Sequence, residues 1–307
     1  MKKYLKNLFT FAFLFLMNMQ IFGQSGWGGG NPYEVYWFTD MAHSLQWLAD
    51  NTWFTPCNGG GSGGNGDNGG GNDPNIKKIM TYNIAKNKYE ENGRDVIRLN
   101  GDIIAVQEIF SESKFTKLCQ HSLKYGEFLH TRHPFNIPYG IALLWQWSNP
   151  PNQIITEIVT TGSCDADPRR GYIIGEWNDY IVVATHFPTG NCGLKEMMAE
   201  HILNQSIIQN ASKPIFIAGD LNTWHSSPII VDIFNSNGFI VRNYTEKIDG
   251  KYVDATRESG EMPDLILGNI NNTIVYEIIN KGIPNIPKMD FSLSDHLPYV
   301  VTIKIIS

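Results

Sequence analysis

Residues Pro214–Ser226 read PIFIAGDLNTWHS. Four apolar residues, Ile215, Phe216, Ile217 and Ala218, run into a glycine. An acid and an amide follow, Asp220 and Asn222, with one residue between them. A short, continuous apolar run suits a strand covered on both faces. Such a strand ending on two oxygen-bearing side chains delivers them to a sheet edge, so the rest of the chain is read for strands that do the same.

There are many. From Lys77 onward the segments IKKIMTYNI, GDIIAVQEI, GIALLWQW, NQIITEIVT, RGYIIGEW, DYIVVATHF, DLILGNI, NTIVYEII and YVVTIKII all read as short apolar or β-branched strands. Helices are expected within GLKEMMAEHILNQSIIQN, where Met198/Ile202 and Leu203/Ile207 repeat at i, i+4, and at SSPIIVDIFNSNG. In the second, Ser227 is the cap, Pro228 opens the first turn and Gly238 is the stop. Many strands and few helices predict two packed sheets with helices outside, an α+β architecture. No internal repeat is visible in the sequence.

The polar residues gather at the strand ends. MTYN closes on Asn83, AVQE on Gln107 and Glu108, and VVATH on His186; MPDLIL begins its apolar run at Asp264, and SLSDH sets Asp295 and His296 just ahead of a strand. Taken singly, each reads as a turn residue or a satisfied core group. Together they form a set of hard oxygen donors and two histidines, which suits Mg²⁺, or Mn²⁺, better than zinc. Neither a GxSxG elbow nor the i, i+4 histidine pair of a helical zinc site is present among them.

The N-terminal part is different. Lys2, Lys3 and Lys6 precede an apolar run from Leu8 to about Ile21, the layout of a secretory signal peptide over residues 1–24. Thr10, Asn18 and Gln20 interrupt the run, which argues against a retained span. Cleavage would remove three lysines and no acids, taking the formal net charge from −6 to −9. A chain that acidic gains no long-range attraction to nucleic acid or anionic membranes. Lys114, Lys117, Lys124, Arg132, Arg169 and Arg170 read as scattered surface charge, with a local basic patch as the other reading. Residues 25–57 are rich in Trp, Tyr and Phe, with Met41, Leu45 and Leu48 at helical spacing; a helix packed on the main domain is the expectation, a docking element the alternative. Residues 58–75 form a Gly-rich flexible linker, with a coil end-to-end distance of about 20–25 Å. The domain proper is then 76–307. Four cysteines, Cys57, Cys119, Cys164 and Cys192, allow three full pairings in an exported protein.

The order N…QE…TH…GDLN…D…SDH, each at a strand edge, resembles the endonuclease/exonuclease/phosphatase superfamily, the group that includes deoxyribonuclease I, bacterial neutral sphingomyelinases and inositol polyphosphate phosphatases. The resemblance spans about Ile76 to the C-terminus. It implies a four-layered αββα sandwich of two packed mixed sheets. It also implies roles: Glu108 as principal Mg²⁺ ligand with Asn83 beside it; Asp220 orienting the attacking water; Asn222 on a phosphate oxygen; His296 as general base, hydrogen-bonded by Asp264; Asp295 in the metal-side cluster; His186 stabilising the transition state or protonating the leaving group. Attack of water on a phosphoester needs this combination of base and positive charge.

There are departures from the nuclease pattern. QEIFSES has no arginine after Glu108, and Phe110 is closer to the sphingomyelinases. THFPTGNCG and TGSCDADPRRG place cysteines as secreted sphingomyelinases place a disulfide, which implies a Cys164–Cys192 bridge. The expectation is a monomeric, exported, Mg²⁺-dependent phosphodiesterase without a transmembrane span once cleaved, leaning towards phospholipid head groups. A secreted nuclease on nucleic acid, a phosphomonoesterase on sugar or inositol phosphates and a non-catalytic binding protein are the alternatives.

Overall fold

The computed structural model describes residues 73–84, 101–132, 138–160, 169–189, 193–243, 246–248, 251–257, 259–269, 275–284 and 294–306. These fall in one compact unit, Gly70–Ser307. The signal peptide, the aromatic segment, the linker up to residue 72, and Cys57, Cys164 and Cys192 lie outside the described residues.

The first sheet holds β1 (Ile76–Asn83), β2 (Ile103–Ile109), β3 (Tyr125–Arg132), β4 (Pro138–Trp145), β13 (Val275–Gly282) and β14 (Tyr299–Ile306), in the order β13-β14-β1-β2-β4-β3. The second holds β5 (Gln153–Thr160), β6 (Arg169–Glu176), β7 (Ile181–His186), β8 (Ile215–Asp220), β9 (Phe239–Val241) and β12 (Asp264–Asn269), in the order β5-β6-β7-β8-β12-β9. A two-stranded ribbon, β10 (Lys247–Ile248) with β11 (Lys251–Tyr252), stands apart. Among the described residues, only β1/β2 and β7/β8 pair in parallel. Both sheets therefore show one pattern, an antiparallel ribbon, a central parallel pair and a second antiparallel ribbon, although the sequence carries no repeat.

Three apolar clusters show the layers. Between the sheets lie Ile79, Ala105, Leu143 and Val301 from one side and Ile173, Val182, Phe216, Ala218 and Ile266 from the other. On the outer face of the first sheet, Met80, Tyr82, Val106 and Leu144 pack under α1 (Glu112–Ser122) through Leu118 and Phe115. On the outer face of the second, Ile174, Val183, Ile217 and Leu265 pack under α2 (Leu194–Leu203), α3 (Ser206–Gln209) and the π-helix Ile229–Phe234. Helix, sheet, sheet, helix is the four-layered sandwich. Because both faces of each central strand are covered, its sequence reads as an unbroken apolar run.

Local chemistry fixes the helix ends. Ser111 Oγ accepts from Lys114 N at 3.2 Å, and Leu123 closes α1 in the left-handed region. Ile230 N donates to Ser227 Oγ at 3.4 Å, and Gly238, at φ +79, stops the helical stretch after a 3₁₀ turn. The long helix expected over Gly193–Asn210 is split into α2 and α3 at Asn204–Gln205. The core strand expected to reach Trp147 ends at Trp145, and Trp147 is 64% exposed.

Gly219 explains the glycine before Asp220. A Cβ there would stand 2.1 Å from the Thr185 carbonyl oxygen of the neighbouring strand, so β7 and β8 can approach this closely only around a glycine.

Candidate active site

One rim of the sandwich collects the polar residues. β1, β2, β7 and β8 all run towards it, and the antiparallel β12 and β14 start from it. Thus Asn83 pairs with Gln107, His186 with Asp220, and Asp220 with Asp264 along the ladders. The His296 backbone enters just before β14 and forms an isolated bridge with Arg257.

Glu108 owes its position to a bulge. The register against β4 shifts between Gln107 and Ile109, and Glu108 adopts φ +63. A bulge residue leaves the ladder and points its side chain elsewhere; holding a non-glycine residue in that region costs about 1–2 kcal/mol. Asn222, at φ +48, follows Asp220 in a turn, and its N–H donates to Asp220 Oδ1 at 2.9 Å. Asparagine tolerates that conformation.

The two sheets meet through side chains. Asn83 Nδ2 donates to Asp220 Oδ2 at 3.0 Å and to Glu108 Oε1 at 3.2 Å. Asp220 Oδ2 lies between two imidazoles, 3.6 Å from His186 Nε2 and 3.8 Å from His296 Nε2. His296 Nδ1 stands 2.7 Å from Asp264 Oδ2, and both side chains are buried. Ser294 Oγ supports this corner, donating to the Asn83 carbonyl at 2.8 Å and accepting from His296 N at 3.1 Å. Asn222 Nδ2 donates to the Phe187 carbonyl at 2.8 Å and faces His186 Nε2 at 3.2 Å. Lys195 Nζ donates to the Asn222 carbonyl at 2.6 Å and so pins the turn.

The electrostatics separate the two rings. Burial, with the Arg170 charge adding, pushes His186 down to about 3, so its ring is neutral. Burial opposes charge on His296 too, but the Asp264 carboxylate outweighs it and lifts the ring to about 9. Arg257 pulls the other way. Its Nε donates to His296 Nε2 at 3.1 Å, a bond that only the neutral ring can accept, so this contact opposes the rise caused by Asp264, and the geometry seen is that of the neutral ring. Burial, reinforced by Asp220 and Asp295, raises Glu108, while the Asn83 amide works against the rise.

A hard cation fits this rim. Glu108 Oε2 is buried without a hydrogen-bond partner, and the Asp220 carboxylate acts on the same side chain. Asp220, Asp264 and His296 also offer ligand atoms within 4.8 Å of one another. Asp264 Oδ2, however, already accepts from His296 Nδ1, so Glu108, with its unpartnered Oε2, is the better-placed carboxylate.

Asn83, Glu108, His186, Asp220, Asn222, Asp264 and His296 thus come together. Asp295 stands apart from them: it is exposed and reaches Glu108 only through its charge. Gln107 turns inward, where its Oε1 accepts from Thr81 Oγ1 at 3.3 Å. Sequence reading missed Arg257, Lys195 and Ser294. It also took Arg170 for surface charge, yet Arg170 is 6% exposed and acts on His186. Lys124 is likewise buried, donating to the Gly101 carbonyl at 2.7 Å, which is a structural role.

The Endonuclease/Exonuclease/phosphatase family model matches residues 80–263. A search of curated proteins finds no match. Among solved structures, an endonuclease/exonuclease/phosphatase from Bacteroides vulgatus superposes with TM-score 0.59 at 16% identity, covering 75% of this chain and 99% of that one. The human Nocturnin catalytic domain, with a bound sulfate anion, gives 0.58 at 16% identity, covering 76% and 95%. A mannosyl-6-phosphatase from Bacteroides thetaiotaomicron gives 0.53 at 12% identity, covering 74% and 99%. At these identities the likeness is one of fold.

Proposed function

The chain belongs to the endonuclease/exonuclease/phosphatase family of metal-dependent phosphoester hydrolases, and we propose that this member is an exported phosphodiesterase whose attacking water is activated by His296. The observation that carries the reading is the buried line Asp264–His296–Asp220, with the unpartnered Glu108 oxygen beside it.

Asp264 fixes the proton of His296 on Nδ1 and leaves Nε2 to accept one. Water held near Asp220 Oδ2 gives its proton to Nε2 as its oxygen bonds to phosphorus. The bond from phosphorus to the leaving oxygen then breaks. Asn222 Nδ2 stands where it can turn to a phosphate oxygen. His186 is neutral in the free protein, so the leaving oxygen takes its proton from water, directly or by way of His186 once the entering phosphate's negative charge has let that ring take a proton from water. Held by Glu108, with Asn83 beside it, Mg²⁺ or Mn²⁺ would supply positive charge against the phosphate as negative charge builds.

The lean towards phospholipid head groups rests on Phe110 where many nucleases carry arginine, on the cysteine placement and on the acidity of the chain. Export rests on residues 1–24. Among the described residues, no helix is long and apolar enough to cross a membrane. A second reading, a phosphomonoesterase, draws on Arg170 and Arg257 at the rim, which suit a more highly charged phosphate, and on the mannosyl-6-phosphatase of the same fold. With Asn83, Glu108, His186, Asp220, Asn222, Asp264 and His296 assembled, the non-catalytic alternative has no observation in its favour.

Purified protein with Mg²⁺ should release phosphocholine from sphingomyelin faster than it nicks plasmid DNA. Efficient nicking without phosphocholine release would make it a nuclease. Phosphate release from mannose 6-phosphate alone would make it a monoesterase.

A further inference from the structure

Arg257 occupies the one nitrogen through which His296 could take a proton from water. Nδ1 is committed to Asp264 at 2.7 Å, so Nε2 carries the available lone pair of the neutral ring, and Arg257 Nε donates to it at 3.1 Å. A base whose acceptor is filled cannot also accept from water.

The backbone around Arg257 is firmly held and the side chain is not. Its N–H donates to the Glu261 carbonyl at 3.0 Å, its carbonyl accepts from Gly260 N at 2.9 Å, and next to it Leu297 N donates to the Thr256 carbonyl at 2.7 Å. The side chain is 35% exposed, and Nη1 reaches only to 4.0 Å from Glu261 Oε2, itself 69% exposed. Such a surface pair contributes little. A loosely held guanidinium on a fixed anchor can change partners without moving the chain.

We propose that Arg257 caps His296 in the free protein and transfers to the substrate's phosphate oxygens on binding, uncovering Nε2 for the attacking water. The exchange is downhill because a guanidinium fork matches two phosphate oxygens and makes charge-assisted bonds, whereas the imidazole offers it one neutral acceptor. The site is then primed by the anion it acts on, and an ester without free phosphoryl oxygens leaves the base covered. The uncapping rests on the reading of His296 as base; the phosphate contact does not.

The test uses wild-type protein, Arg257→Ala and Arg257→Lys, with inorganic phosphate as the probe. Calorimetric titration in EDTA should show phosphate affinity falling about 10–100-fold in Arg257→Ala, as loss of a charge-assisted contact implies. With Mg²⁺, KM for bis-p-nitrophenyl phosphate should rise similarly while kcat changes less than about threefold. Arg257→Lys, lacking the fork, should recover only part of either. In ¹⁵N-histidine spectra, phosphate should shift the His296 Nε2 resonance of the wild type and leave that of Arg257→Ala in place. Unchanged phosphate affinity in the variant, no phosphate binding by the wild type, or a fall in kcat at constant KM would each overturn the proposal. If phosphate binding depends on Arg257 but no phosphoester is hydrolysed, the hydrolase reading falls and the phosphate contact stands.

Discussion

Asp264 and His296 meet at 2.7 Å, carboxylate oxygen to Nδ1, with both side chains buried. Asp264 is also the ladder partner of Asp220, so β8 and β12 bring two acids to the same ring.

That arrangement has a pH signature in the unliganded protein. Against burial, Asp264 raises His296 towards about 9 from an ordinary value near 6.5, in competition with the Arg257 cap on Nε2. Where the proton displaces Arg257, the stability it contributes is full below about pH 6.5 and is lost as pH rises through 9. His186 is lowered to about 3, so it costs nothing above about pH 6.5 and destabilises progressively as pH falls from there towards 3. Urea unfolding in EDTA from pH 4 to 10 should therefore show Asp264→Asn flattening the alkaline fall and His186→Gln easing the acid one. An alkaline slope identical in wild type and Asp264→Asn would remove the raised histidine from the account. Asp264→Asn should also lower kcat by about 10²–10⁴-fold.

Glu108 makes the metal testable without turnover. Its carboxylate carries a buried oxygen with no hydrogen-bond partner and feels the negative charges of Asp220 and Asp295. In EDTA, Glu108→Gln should melt no lower than the wild type, because it removes an uncompensated charge. Saturating Mg²⁺ or Mn²⁺ should raise the wild-type melting temperature, with about 2.7 kcal/mol gained at a hundred times Kd, and should barely move the variant. An equal gain in both would place the ion on Asp220, Asp264 and His296 instead.

These residues were legible in the sequence because strand ends carry them. Each central strand is buried on both faces, so its apolar run shows where it stops, and the residue at the stop is at the rim. β3 gave no such signal: it is an edge strand whose residues from Gly126 to Leu129 are all half-buried, so neither a run nor an alternation stands out. β9, β10 and β11 are too short to read. α1 had a usable signal in Ser111 followed by Phe115, Leu118 and Cys119. Arg257 had none. It arrives from an isolated bridge, and a long side chain reaches His296 across 39 positions of sequence. Arg170 lies within a hairpin strand, and only tertiary burial distinguishes it from surface charge.

Of the four cysteines, Cys119 lies among the described residues. Burial pushes the Cys119 thiol up to about 12, and it is free. β6 and β7 are antiparallel, so the chain before β6 and the chain after β7 leave the sheet at one end. Cys164 and Cys192 lie in those two stretches. Peptide mapping without reduction should find a Cys164–Cys192 disulfide, and maleimide should label Cys119 only after unfolding. A Cys57–Cys119 bridge would contradict both expectations.

Removing residues 1–74 should leave a folded, active domain. The first ladder begins at Ile76, and Asn75 still accepts from Ile305 N at 2.9 Å. Among the described residues, the cut costs the surface contact of Asp73 with Lys304, 3.8 Å, the Asp73 carboxylate oxygen that accepts from Asn75 N at 3.0 Å, and the Asp73 carbonyl that accepts from Ile76 N. Activity within about twofold of full length is expected, since a surface pair contributes little. Insoluble truncated protein would make the aromatic segment part of the core.

The most direct measurement is hydrolysis of bis-p-nitrophenyl phosphate by the purified chain with Mg²⁺, with EDTA, and in His296→Ala. The account predicts turnover with Mg²⁺, its loss in EDTA with recovery on restoring the ion, and a fall of about 10²–10⁴-fold in a folded His296→Ala. Near wild-type turnover in His296→Ala, or turnover that persists in EDTA, would contradict it.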